Sequence, residues 1–297
     1  MKILPSPARR RRLAAYVAVL AAVFGVYIWR TWWWPGLTVR TRHYVIQSTA
    51  TRVHTEAAGR ALEALHEAYM DLFETLPAVQ QPHAPLKARL YGERAEFRRH
   101  NPNVGWAEAF YRGGICHAYY DRLKGNPYHW LLHEATHQLN HEVAGLEPPT
   151  WIDEGLATYF GASRYTNGML NPGQPDLDAY PVWWVASLRL SGDVDADARA
   201  GEIIPLRIIV TGRGGPDIDR EFNLYYVHWW SLTHFLLESD EGRLRDRYFR
   251  VIREGGALKA FEQNIGAVEQ VQSQWYDHLR KLRQAALSAP VRQPDGT

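Results

Sequence analysis

The chain has a single cysteine, Cys116, so no disulfide can form within it and the fold must be held by packing. That thiol is expected to pack in a strand. No charge sign dominates: 34 Lys and Arg face 32 Asp and Glu, a net charge of +2. Four of the basic residues sit together at Arg9 to Arg12, which leaves the rest close to neutral. Such a balance gives no general attraction to nucleic acid, and none is expected as a partner. Internal repeats are also lacking. Tryptophan, by contrast, is plentiful: there are 12, several grouped where membrane or cleft contacts are expected.

The basic cluster precedes Leu13 to Trp29, a stretch without charge, followed by Trp32, Trp33 and Trp34. As a helix this stretch spans about 25 Å at 1.5 Å per residue, slightly short of the ~30 Å hydrocarbon core. Arg30 can snorkel, and the tryptophans suit an interface. The reading is a basic cytoplasmic end (residues 1–12), a retained transmembrane signal anchor (13–34) and an extracytoplasmic bulk, in a bacterial inner membrane. Val23-x-Gly25 is a poor cleavage site, and the bulky aromatics after it argue against processing.

The chemistry concentrates in His133-Glu134-Ala135-Thr136-His137, an H-E-x-x-H run. Histidines four apart project from one helix face and can converge on one ion. The glutamate beside the first histidine lies off that stripe, placed to take a proton from metal-bound water. Asn126-Pro127 reads as the helix start, and Gly145 with Pro148-Pro149 as its stop.

A catalytic zinc needs a third protein ligand and an open position. His141 sits about 12 Å along a straight helix from His133, too far to share the ion. The extended H-E-x-x-H-x-x-G-x-x-H pattern fails, since Asn140 and Val143 occupy its glycine and histidine positions. Asp153 and Glu154 remain. Thr150 reads as the N-cap of a second helix and Asp153 as its capping acid, which leaves Glu154 to face the cleft. Gly155 is expected to let the two helices approach. His129 and His141 read as polar helix residues, with a contact behind the ligands open to either.

His133 to His137 followed by Trp151-Ile152-Asp153-Glu154-Gly155-Leu156-Ala157 resembles the gluzincin metallopeptidases, whose third zinc ligand is a glutamate on the next helix. More narrowly it is similar to the bacterial peptidase-MA-like proteins, in which a W-x-x-E-G-x-A segment follows the H-E-x-x-H helix. The likeness is specific over residues 128–160 and loose across the rest of 40–285. The spacing from His137 to Glu154 is slightly shorter than in thermolysin-like enzymes, which suits the peptidase-MA-like group. The resemblance implies one Zn2+ per chain, held by His133, His137 and Glu154, with Glu134 as base. It also places Tyr226, within Tyr225-Tyr226-Val227-His228, where such enzymes keep an oxyanion donor.

Along the chain, strands are expected over Thr38 to Gln47, Leu86 to Tyr91 and Ile115 to Tyr120. The last is expected to border the cleft, where an extended peptide can pair with it. Helices are expected over Val53 to Leu76, Arg94 to His100, Phe222 to Leu237, Gly242 to Ile252 and Ile265 to Leu287. Pro77, Pro82 and Pro85 mark a linker, and residues 162–220 a loop-rich insert with apolar pieces at Val182 to Leu190 and Ile203 to Val210. Trp183-Trp184 and Trp229-Trp230 read as core or cleft wall. The fold class is α+β: a zincin-like domain over residues 36–290, with lobes of about 36–145 and 146–290 and the metal cleft between them. The expected activity is zinc-dependent hydrolysis of a peptide or protein substrate outside the cytoplasm. A non-catalytic binding protein on a peptidase scaffold, or a zinc hydrolase of a non-peptide bond, are the alternatives.

Overall fold

The structure is a computed structural model, and it describes residues 7–31, 35–74, 84–121 and 126–289. It is mixed α+β, with a small sheet and many helices. Helix α1 (Pro7–Thr31) contains Arg11–Ile28, whose mean hydropathy is 1.6 and of which none is buried. By length and composition it is able to cross a membrane. The expected interfacial Trp32, Trp33 and Trp34 lie outside the described residues, as do Leu76, Pro77, Pro82 and the stretch from Pro290.

The strand expected over Thr38 to Gln47 is two strands, β1 (Leu37–Arg40) and β2 (Tyr44–Ser48), paired antiparallel. A carboxylate from a distant helix pins the turn between them. Glu63 Oε1 accepts from the Thr41 hydroxyl at 2.5 Å and from the His43 amide at 2.8 Å. Glu63 belongs to α2 (Arg52–Leu72), whose N-cap Thr51 accepts from the His54 amide. The α2 residues Ala58, Leu62 and Leu65 are fully buried, as are Tyr44 and Ile46 of β2 in the same core.

Next come β3 (Leu86–Tyr91), α3 (Arg94–His100), β4 (Phe110–Arg112) and β5 (Ile115–Tyr119). The sheet order is β1-β2-β3-β5-β4, with β2, β3 and β5 parallel and β4 antiparallel on β5. This corrects the expectation for residues 115–120. Gly113 (φ +57°) and Gly114 (φ +76°) form a tight hairpin turn, and the strand it adds, β4, covers β5. The sheet edge on that side is therefore Phe110–Arg112. Cys116 is buried in β5, as expected, 3.3 Å from the Gln138 side chain.

Helix α4 (His129–Glu142) carries the H-E-x-x-H run. It begins later than Asn126-Pro127 suggests. The Asn126 side chain accepts from the Tyr128 amide at 3.1 Å, which closes a turn before the helix and uses up the cap. Gly145 (φ +60°) ends α4 in a left-handed turn, with the Leu146 amide on the Asn140 carbonyl. Buried Gln138 fastens α4 to the sheet by donating to the carbonyls of Gly114 and Lys87.

Helix α5 (Thr150–Gly161) starts one residue earlier than expected: Pro149 is the N-cap and Thr150 is already helical. Its glycines separate two jobs. A Cβ on Gly155 would lie 2.3 Å from Thr233 Oγ1 and 3.1 Å from the Trp229 carbonyl. Gly155 thus admits a later helix, and the close approach to α4 is made by Gly161, whose Cβ would meet His133 at 3.0 Å.

The insert holds an unforeseen hairpin, β6 (Ser163–Thr166) and β7 (Met169–Pro175). Asn167 and Gly168 turn it, both at positive φ. The apolar pieces form α6 (Val182–Val185) and α8 (Leu206–Thr211), with α7 (Val194–Arg199) between them. Helix α9 (Ile218–Glu238) kinks at Glu221 and packs against α5. The chain finishes with α10 (Arg245–Arg253), α11 (Leu258–Asn264) and α12 (Val268–Ser288). Trp151 donates to the Gly256 carbonyl and Trp275 to Ser231, so the late helices are tied to α5 and α9. Trp229 and Trp230 are buried core.

Candidate metal centre

Helix periodicity sets His133 and His137 on one face of α4, and α5 brings Glu154 across from them. His133 Nε2 and His137 Nε2 lie 3.2 Å apart. Glu154 Oε2 is 3.3 Å from the first and 3.6 Å from the second. One ligand atom from each of the three lies within 4.8 Å of the others, a grouping able to hold a metal ion. In a tetrahedral site with bonds of ~2.0–2.1 Å, neighbouring donor atoms sit about 3.3 Å apart, so the spacing fits zinc. Glu154 Oε2 is also buried without a hydrogen-bond partner. A buried carboxylate oxygen left in that state is costly, and a cation between the three groups would satisfy it.

Burial alone would raise the Glu154 carboxyl, but the imidazoles of His133 and His137 outweigh it and hold the group well below the usual carboxylate range. His137 goes the other way: burial would lower it, but Asp153 and Glu154 hold it well above its ordinary value. Glu134 is raised, chiefly by burial, with the two histidines opposing. It lines the same cleft and is 8 % exposed.

Asp153 does not cap α5. Its Oδ2 lies 3.0 Å from His137 Nδ1, and its Oδ1 accepts from Asn140 Nδ2 at 2.8 Å. Asn140 in turn accepts from the Tyr69 hydroxyl at 2.9 Å. A chain of groups therefore runs from α2 through α4 and α5 to the back of His137. It holds a proton on Nδ1 and turns Nε2 toward His133 and Glu154, the nitrogen that would meet an ion there. Nearness to His137 outcompetes capping because Pro149 has already taken the cap position. Sequence reasoning missed this chain. The available signal was Asn140, three residues after His137 and so on the same helix face.

The other candidates separate cleanly. His141 stacks on Tyr111 and stands 4.0 Å from Asp153, outside the ligand group. His129 is buried against the Asn126 carbonyl. Of the run on α9, Tyr225 donates to the Pro216 carbonyl. His228 is fully buried and bonded to the Leu224 carbonyl and the Ile204 amide. Only Tyr226 reaches the cleft, its ring 6.2 Å from that of His133. Its phenol is pushed well up, chiefly by burial, with the charge of the Glu154 carboxylate adding to the shift.

The cleft has a volume of about 1060 Å³. Its walls include Trp106 and Phe222, stacked at 5.0 Å from opposite sides, and Trp183 and Trp184 of α6. The edge strand β4 lines it through Phe110 and Tyr111. Arg98 holds the loop that carries Trp106, donating to the carbonyls of Gly105 and Trp106. Tyr180, which carried no sequence signal, also faces this cleft.

Residues 130–261 match a family model described as a protein of unknown function (DUF1570). The matched span contains His133, Glu134, His137, Glu154 and Tyr226. No curated protein matches the chain.

Proposed function

We propose that this protein is a membrane-anchored zinc-dependent peptidase of zincin-like fold, with its cleft outside the cytoplasm. The observation that carries the reading is the spacing of His133, His137 and Glu154, with an unsatisfied buried carboxylate oxygen among them. These three would hold the ion, and zinc would supply Lewis acidity to water and to the scissile carbonyl. Glu134, buried and off the ligand stripe, accepts the proton of the attacking water and returns it to the leaving amine. Asp153 and Asn140 keep His137 in one orientation. Tyr226 lies where it can donate to the oxygen on which charge develops. Among the described residues β4 is the outermost strand on its side of the sheet, and such an edge beside the cleft suits an extended peptide substrate.

The test is metal content. The full chain, purified in detergent after zinc loading, should hold one zinc per chain, and His133→Ala with His137→Ala should hold none. Full occupancy in the double variant would sink the assignment. For the membrane, α1 is the anchor and the basic cluster its cytoplasmic flank. A periplasmic reporter fused at the C-terminus should be active and sediment with membranes; an inactive reporter would reverse the orientation.

A further inference from the structure

The chain enters the sheet from α1 at the same end at which the cleft rim begins. Leu37, where β1 starts, pairs with Ser48, Ser48 with Leu90 and Leu90 with Ala118; β4 starts at Phe110, opposite the neighbouring His117. Across five strands spaced ~4.8 Å apart, Leu37 and Phe110 stand about 19 Å from each other along that end. Strands β2 and β3 finish there, so the first turns of α2 and α3 start from it. Arg94, the first residue of α3, pairs with Glu108, and Arg98 one turn on holds the Trp106 carbonyl at 3.0 Å, which keeps Trp106 at this end. From β1 through α4, the exposed large apolar side chains among the described residues are Val53, in the first turn of α2, and Trp106. Both therefore sit at the end where the chain enters. Val53 is 70 % exposed, against 56–69 % for the exposed apolar side chains of α1, and Trp106 is 53 % exposed. Five residues separate Thr31 of α1 from Leu37, and even a fully extended chain of that length reaches only about 20 Å.

We infer that this end of the sheet is a membrane-contacting face, with Val53 and Trp106 in the headgroup layer of the bilayer that α1 crosses. The inference rests on α1 being the anchor and not on the chemistry of the cleft. An indole suits that layer, its apolar body toward the lipid and its N–H toward water and headgroups. The short tether makes the contact intramolecular, so a small patch suffices where a free protein would need a larger one. Trp106 also lines the cleft, so the cleft mouth lies beside the headgroups.

The test uses the full chain in lipid nanodiscs, with a bimane fluorophore attached at Val53→Cys or Asn103→Cys, the latter exposed in the Trp106 loop. Arg42→Cys, exposed in the β1–β2 turn at the other end of the sheet, is the reference, and Ala22→Cys reports on α1. Cys116 is buried, and the unsubstituted chain controls for its labelling. Lipids carrying a nitroxide on the headgroup should quench the labels at 53 and 103 roughly threefold or more above the label at 42, because the two ends of β1 stand ~16 Å apart at ~3.3 Å per residue. Iodide in the water should quench the label at 42 freely and the label at 22 hardly at all. Lipid quenching at 53 and 103 no greater than at 42, with the label at 22 still shielded, would overturn the inference and leave the anchor standing. Labels at 53 and 103 that are shielded from iodide yet unquenched by the lipid would assign the face to a protein partner and also overturn it. A label at 22 open to iodide would overturn the anchor, and the inference with it.

Discussion

Asp153→Asn separates two accounts of one residue. As a helix cap, Asp153 would contribute about 1 kcal/mol to stability and nothing to the metal. The geometry instead joins one oxygen to His137 Nδ1 at 3.0 Å and the other to Asn140 Nδ2 at 2.8 Å. Asparagine has a single acceptor oxygen for these two donors. If that oxygen stays on His137, its NH2 group faces the NH2 group of Asn140. Relief requires Asn140 to turn its amide, which takes away the acceptor of the Tyr69 hydroxyl. The variant therefore loses the charge behind His137, and the Tyr69 hydroxyl must change from donor to acceptor. Carboxylates behind metal-bound histidines are worth 10- to 100-fold in metal affinity, or about 1.4–2.7 kcal/mol. Zinc competition against a fluorescent chelator reads this directly. Asp153→Asn should bind zinc 10- to 100-fold more weakly, and Glu154→Gln more weakly still. An Asp153→Asn protein that binds zinc within twofold of wild type would refute the orienting role.

Gly155→Ala should destabilise the protein by about 1–3 kcal/mol in urea unfolding, because the new methyl falls on Thr233 Oγ1 and the Trp229 carbonyl. Adding Thr233→Ala should recover part of the loss, and a neutral single variant would show that α5 and α9 can part freely. Burial would raise Glu108, but its bonds to Arg94 and Tyr119, with Arg98 nearby, outweigh it and hold the group below its ordinary 4.5. A depressed folded value means that the stabilisation is present above about 4.5 and is lost as pH falls through the folded value. The urea midpoints of wild type and Glu108→Gln should therefore differ at pH 6 and converge on acidification; a gap that widens toward pH 3 would contradict this.

The grouping of His133, His137 and Glu154 was legible in the sequence because helix geometry puts the two histidines on one face and the next helix follows closely. A spacing of four from His133 to His137 gives one face, and Glu154 meets them from the next helix. Asp153 was misread because its local position suits a cap, whereas its partner comes from another helix. Local rules cannot weigh such a tertiary contact. Gly155 failed similarly: its need for a close neighbour was evident, but nothing local says that the neighbour is α9. The turns at Gly113-Gly114 and Asn167-Gly168 were readable hairpin signals. The strands they join are short, and β4 moved the cleft edge from the expected strand to Phe110–Arg112. Tyr180 reaches the site through an irregular path after β7, and no periodicity points to it.

The central claim is that zinc and Glu134 together hydrolyse peptide bonds. Zinc-loaded wild type and Glu134→Gln, assayed side by side on a fluorogenic peptide library, test it most directly. The glutamine is nearly the same size, so the variant should keep its metal and fold. It cannot take the proton from water, and turnover should fall roughly 10²–10⁴-fold or more. Equal hydrolysis by both proteins would contradict the account.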